Sequence, residues 1–108
     1  MSYNIFLDDE RVPNNVTWIK LPSVDFVVLK SYNEFVDYIT KFGVPDFVSF
    51  DHDLGLPHYG SDYSDERTGY DCAKWLKNYC LENNCKIPKY TVHSMNPVGK
   101  QRILNLLL

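Results

Sequence analysis

The residues best suited to chemistry lie in the middle of the chain. Phe47-Val48-Ser49-Phe50 is a strand-like run that stops abruptly in Asp51-His52-Asp53-Leu54-Gly55. Two carboxylates flanking an imidazole are costly to hold together, because like charges repel and each ion prefers water. A chain that delivers them from a strand end has a cation, a phosphate or a proton to handle. Asp8-Asp9-Glu10-Arg11 ends the β-prone run 3–7 in the same way, and His93-Ser94-Met95-Asn96 follows the β-prone Tyr90-Thr91-Val92. Carboxylates gathered without a nearby thiolate favour a hard divalent cation, Mg²⁺ or Mn²⁺, and an imidazole joining them favours Mn²⁺ or another transition metal. Histidine is the side chain suited to giving one proton and taking another near neutral pH. His52 and His93, with Asp53 beside the former, are therefore the catalytic candidates. Asn96-Pro97 reads as a helix start. The amides from Asn96 to Gly99 then offer an anion site, with Ser94 as a donor and Lys100 or Arg11 as a second contact.

The elements that must position these groups can be read in order. After the first strand, Pro13-Asn14-Asn15 breaks the chain and no helical pattern follows, so that crossover is a loop or a β excursion. Residues 16–21 are expected to add an edge strand. Phe26-Val27-Val28-Leu29 is the next strand, and Ser31-Tyr32-Asn33-Glu34 has the spacing of a capping box. Phe35, Val36, Ile39 and Phe42 recur at helical spacing, and Gly43 closes that helix. Residues 54–67 are expected to form a long loop beside the acids, where His58, Tyr59 and Tyr63 lie; loops of this length in compact domains are often functional. Thr68 opens a second helix with Asp71 in its first turn. Its apolar side runs through Cys72, Ala73, Trp75, Leu76, Tyr79 and Cys80, and Lys74, Lys77 and Asn78 are expected to face water. Ile103, Leu104 and Leu107 give a third helix a buried side. Strand–helix alternation of this kind implies a parallel sheet with right-handed crossovers and helices on both faces.

The 108 residues leave room for one domain, taken as 1–108. A 44 % hydrophobic content is that of a globular chain, and no apolar stretch reaches the length of a membrane span. No signal-peptide pattern precedes the first strand, so a cytoplasmic protein is expected. Cys72, Cys80 and Cys85 read as buried thiols in a reducing compartment. A net charge of −3 argues against duplex DNA as a partner but leaves room for a small nucleotide or an RNA end.

Two resemblances follow. Ile5-Phe6-Leu7-Asp8-Asp9-Glu10, Pro45-Asp46 leading to Asp51, and Ser94 resemble a trimmed response-regulator receiver domain. The first helix and the closing strand with its terminal Lys have no counterpart, and either Asp51 or Asp53 matches the phosphoacceptor. The chain more closely resembles the cyclic-phosphate processing receiver domains, through Leu7-Asp8-Asp9-Glu10-Arg11, Asp51-His52-Asp53-Leu54-Gly55, Thr68-Gly69-Tyr70-Asp71 and Val92-His93-Ser94-Met95-Asn96-Pro97-Val98-Gly99.

The resemblance implies a three-layer receiver-like (Rossmannoid) α/β sandwich, with a mainly parallel sheet of four to five strands and about three helices. If the first strand lies between the second and third, as in receivers, all the polar strand ends meet at one rim. The receiver match then makes Asp9 and Asp51 the metal ligands, with Asp8 assisting. The expected function is a phosphoesterase that opens a cyclic phosphate on a nucleotide, an ADP-ribose derivative or an RNA end. Two other readings stay open: a module that sequesters such a nucleotide uncleaved, as in a virus–host conflict, and a degenerate receiver acting through protein contacts.

Overall fold

A computed structural model of the chain describes residues 2–54 and 67–108. Gly55, His58, Tyr59 and Tyr63, with most of the expected 54–67 loop, lie outside the described residues. Strands β1 (Asn4–Leu7), β2 (Val27–Leu29), β3 (Phe47–Phe50) and β4 (Lys89–Val92) alternate with helices α1 (Tyr32–Phe42), α2 (Gly69–Glu82) and α3 (Pro97–Leu107). The sheet is parallel throughout, in the order β2-β1-β3-β4. The expected α/β class, strand number and helix number all hold. No described helix is long and apolar enough to cross a membrane.

The layers depart from expectation in one respect. Side chains alternate across a strand, so Ile5, Leu7, Val48, Phe50 and Val92 share one face. They form a single core with Phe35 and Ile39 of α1, Cys72, Ala73, Leu76 and Cys80 of α2, and Ile103 and Leu107 of α3. All three helices therefore cover one face, which corrects the expectation of helices on both. Crossover handedness explains it. Steps from β2 to β3 and from β3 to β4 run in one direction across the sheet, and a right-handed connection then lies on one side. The step from β1 to β2 runs the opposite way, so its connection must lie on the other side.

That connection carries no strand. Residues 16–21 are irregular, and the segment's one regular piece is a 3-10 turn at Pro13–Asn15. Irregular backbone suffices here because it has only to lay side chains over the second face. Phe6, wholly buried, meets Phe26 there edge to face at 6.1 Å between ring centroids, and Phe26 meets Phe47 at a tilt at 6.1 Å.

Caps set the helix boundaries as the sequence implies. Ser31 Oγ accepts from the Glu34 amide at 3.1 Å, although Glu34 returns its carboxylate to the Lys30 amide rather than to Ser31. Thr68 and Asp71 make a reciprocal capping box, and Asn96 Oδ1 accepts from the Gly99 amide at 3.0 Å. Helix α2 ends in a Schellman turn: Asn84 has φ +55°, and the Cys85 amide donates to the Cys80 carbonyl at 2.9 Å. This turn carries Cys85 to the surface, so of the three cysteines only Cys72 and Cys80 are buried. Lys77 does not simply face water, since its Nζ donates to the Leu106 carbonyl at 3.0 Å, where the end of α3 has carbonyls to satisfy.

Gly43 takes φ +91° at the end of α1, with open space where a Cβ would stand. We expect Gly43→Ala to cost about 1 kcal/mol from backbone strain alone, read as a lowered urea midpoint with an unchanged m value.

Candidate functional site

The acids are carried by the C-terminal ends of the two central strands. Leu7 pairs with Phe50 in the last register position of β1 and β3, so Asp8 and Asp51 leave the sheet side by side. In open α/β sheets this crevice, where successive connections pass to opposite faces, is where ligands bind. Alternation places Asp8 on the side of Phe6, Asp51 on the side of Ser49, and His93 on the side of Thr91. Since Phe6 pairs with Ser49 and Ser49 with Thr91, all three face the same way, away from the helices.

There they meet. One ligand atom from each of Asp8, Asp51 and His93 lies within 4.8 Å of the others, and all three residues are buried. The imidazole of His93 is fixed from every side. It lies parallel to the Phe6 ring at 4.4 Å between centroids, Nδ1 is 2.7 Å from Ser49 Oγ, and Nε2 is 2.9 Å from Asp8 Oδ2. A carboxylate can only accept, so Nε2 carries a proton toward Asp8, and in the neutral ring Nδ1 accepts from the Ser49 hydroxyl. The Trp18 indole donates to the His93 carbonyl at 2.9 Å.

The two carboxyls are driven apart in acidity. Burial pushes Asp8 up, but the hydrogen bond from His93 and those from the backbone amides of Arg11 and Glu10 outweigh it and hold its carboxyl below the usual range. For Asp51 burial first, and then the charge of Asp8, outweigh the His52 amide and the charges of His93 and Arg11 and push it up to about 6. A strained anion beside a settled one is what a hard divalent cation would relieve, and the two carboxylates fit such an ion, while His93 Nε2 must shed its proton to join them. The triple contains His93 where the receiver resemblance implies Asp9. Asp9 is buried next along the chain.

His52 has a different setting. As the next residue after Asp51 it points to the opposite face, toward the helices. Its Nδ1 is 2.8 Å from Asp53 Oδ1, and Asp53 also accepts from Asn96 Nδ2 at 3.4 Å. Its ring packs on the first turn of α3 so closely that a Cβ at Gly99 would lie 2.3 Å from it. His52 is 12 % exposed at its side chain and Asp53 57 %. The two catalytic candidates therefore do not share a face: His93 is sealed inside with both nitrogens engaged, and His52 belongs to the helix side of the rim.

The helix-start anion site is also corrected. The Asn96 amide donates to Ser94 Oγ at 3.0 Å, Pro97 has none, the Gly99 amide is taken by Asn96 Oδ1, and that of Lys100 by the Asn96 carbonyl. The Asn cap that starts the helix thus takes most of its donors and leaves the Val98 amide. Gly99 serves to admit His52 instead.

Arg11 lies over the acids. Its Nη1 is 3.7 Å from Asp8 Oδ2, its Nη2 is 3.7 Å from Met95 Sδ, and its guanidinium is 5.2 Å from the Trp18 ring centroid. Ser94 is buried at the same rim, while Lys100 stands half-buried on α3. Sequence reasoning missed Ser49 and left Trp18 without a role. Ser49 had a signal: it is the one polar residue of the β3 run and falls two places before Asp51, on the same face.

Removing the Ser49 hydroxyl tests this arrangement. We expect Ser49→Ala to lose about 1–3 kcal/mol, because His93 Nδ1 would be left buried without a donor. Ser49→Thr should lose less if the added methyl is accommodated. Chemical denaturation of the three proteins reads both effects.

Among known proteins, neither the curated proteins nor the solved structures yield a match. The family model described as Cyclic-phosphate processing Receiver domain matches residues 3–108. With its four-stranded parallel sheet and its acids at the ends of β1 and β3, the chain belongs to the cyclic-phosphate processing receiver domain family.

Proposed function

We propose that the protein is a phosphoesterase that opens a cyclic phosphate on a nucleotide, an ADP-ribose derivative or an RNA end. The observation that carries this reading is the buried grouping of Asp8, Asp51 and His93, with Asp51 held at about 6. Asp8 and Asp51, with Asp9, would hold Mg²⁺ or Mn²⁺, and His93 would join them only by giving up its Nε2 proton. A bound divalent ion would supply charge neutralisation at the phosphate oxygens and acidify a water. The chain's own residues do the rest. Ser49 and His93 fix the Asp8 carboxylate in place. Arg11, already at the acids, would shift to a phosphate oxygen, with Ser94 and Lys100 as further contacts. His52, held by Asp53 on the helix side of the rim, is the imidazole left to move a proton at the leaving oxygen, and it would have to turn around the rim toward the acids to do so.

A second reading, capture of the cyclic or phosphorylated nucleotide without cleavage, is favoured by one observation. Both ring nitrogens of His93 are engaged, and Nε2 of His52 is buried. Incubation with a 2′,3′-cyclic nucleotide and Mn²⁺, followed by mass spectrometry, separates the two. Hydrolysis adds one water to the ligand, and His52→Ala should slow it by about 100-fold or more, whereas capture returns the ligand intact. Unchanged turnover in His52→Ala removes His52 from the mechanism. Labelling of Asp51 by acetyl phosphate would instead favour a receiver acting through protein contacts.

A further inference from the structure

We infer that Trp18 is a stacking platform for the base of the substrate, so that the ligand class is a cyclic phosphate carrying an aromatic nucleobase. The inference rests on the cyclic-phosphate reading above and deepens it. A tryptophan at a surface is ordinarily held loosely, but this one is both open and fixed. Trp18 is 38 % exposed, yet its single polar atom donates to the His93 carbonyl at 2.9 Å. That bond ties the ring to the residue whose imidazole contacts Asp8. The ring therefore has a set distance from the acids that would face the phosphate.

The surroundings agree. Arg11 bridges the two regions, with its guanidinium 5.2 Å from the Trp18 centroid and 3.7 Å from Asp8. Met95, 63 % exposed, meets the same guanidinium through its sulfur, so a polarisable apolar side chain flanks the platform. When Arg11 turns to a phosphate, it uncovers indole surface that a base can occupy. An aromatic ring stacks on any base with little sequence preference, and each such stack contributes enough to change affinity by about tenfold or more.

The test uses emission from Trp18 in a Trp75→Phe background, since these are the two tryptophans of the chain. Adenosine 2′,3′-cyclic phosphate and the base-free methyl riboside 2′,3′-cyclic phosphate are titrated with Mn²⁺ present. The expected result is quenching by the adenosine ligand and about tenfold or more weaker binding, without quenching, by the base-free one. Trp18→Leu should bring the adenosine ligand down to the base-free affinity by calorimetry, and Trp18→Phe should restore most of it. A short oligoribonucleotide with the same cyclic end separates the sources: tighter binding than the mononucleotide points to RNA, weaker binding to a free nucleotide, and both uphold the platform. Equal affinity for the two riboside ligands, unchanged Trp18 emission, or no binding by either overturns it. Loss of hydrolysis with quenching intact would overturn the phosphoesterase reading alone, and equal turnover of both esters would overturn the platform alone.

Discussion

Asp51→Asn is expected to make the metal-free protein more stable at pH 7.5 while abolishing its stabilisation by Mg²⁺ or Mn²⁺. The two effects have one origin. The folded chain keeps the Asp51 proton up to about 6, against an ordinary value of 3.8, because burial and the neighbouring Asp8 charge disfavour the anion. Between those values the folded state binds more protons than the unfolded state, so stability is full below the unfolded value and falls as pH rises through the folded one. Asp8 works in the opposite direction: its depressed pKa contributes stability above the unfolded value that is lost as pH falls through the folded one. Above pH 6 the ionised Asp51 costs on the order of 2–3 kcal/mol at most. Asparagine removes that cost and can still accept the His52 amide that Asp51 Oδ1 accepts at 2.9 Å. A rise of several degrees in melting temperature is expected, together with a flattened stability profile between about pH 4 and 6. Wild-type protein should gain about 2.7 kcal/mol at a hundredfold excess of cation over its dissociation constant, and Asp51→Asn none. Equal stabilisation of both proteins by the ion would mean that the cluster is not where the cation binds.

Gly69→Ala is expected to prevent stable folding. The first residue of α2 donates its amide to the His52 carbonyl at 2.7 Å, pressing the helix start onto the exit of β3. A Cβ there would lie 1.7 Å from the Asp51 carbonyl oxygen and 2.8 Å from its carbon. Both are backbone atoms of a strand end held on two sides, so no side-chain rotation relieves the overlap. The helix must lift away, opening contacts with Cys72, Ala73 and Leu76 beneath it, at a cost above about 4 kcal/mol. Gly99→Ala gives the contrast. Its Cβ would meet the His52 ring at 2.3–2.7 Å, and that ring is the end of a side chain with 12 % exposure that can turn outward. Gly99→Ala should therefore fold, with a modest loss of stability, but with His52 displaced and turnover reduced like that of His52→Ala. Circular dichroism and a cyclic-phosphate assay on the two variants separate the cases. A well-folded Gly69→Ala would mean that α2 does not sit this close to Asp51.

How much of this was legible beforehand divides along a physical line. Local rules wrote the strands, the three helices and their caps into the sequence: apolar runs of strand length, Ser31, Thr68 and Asn96 before helical spacing, and polar residues where each run stops. Those same stops located the rim, because a strand that ends in Asp8-Asp9, Asp51-His52-Asp53 or His93-Ser94 cannot carry such groups farther into the core. The acidic cluster was therefore visible from composition and position. The roles inside it were not, because they depend on which face is covered and by what.

Period-2 alternation sends Asp51 and His52 to opposite sides, so adjacency in sequence became separation in space. Handedness then put every helix on the His52 side and left an irregular segment, with Trp18 and Phe26, to close the other. His93, which looks from the sequence like a free imidazole at a rim, is enclosed by that segment, by Phe6 and by Ser49. The anion site read at the start of α3 narrowed for a related reason: a cap is recognised by the residue that satisfies the amides, so a strong cap leaves few of them for a ligand. The sequence by itself determined what would be brought to the end of the sheet. Only the tertiary structure decided which of those groups share a face, since that follows from strand order and the hand of each crossover rather than from any stretch of the chain.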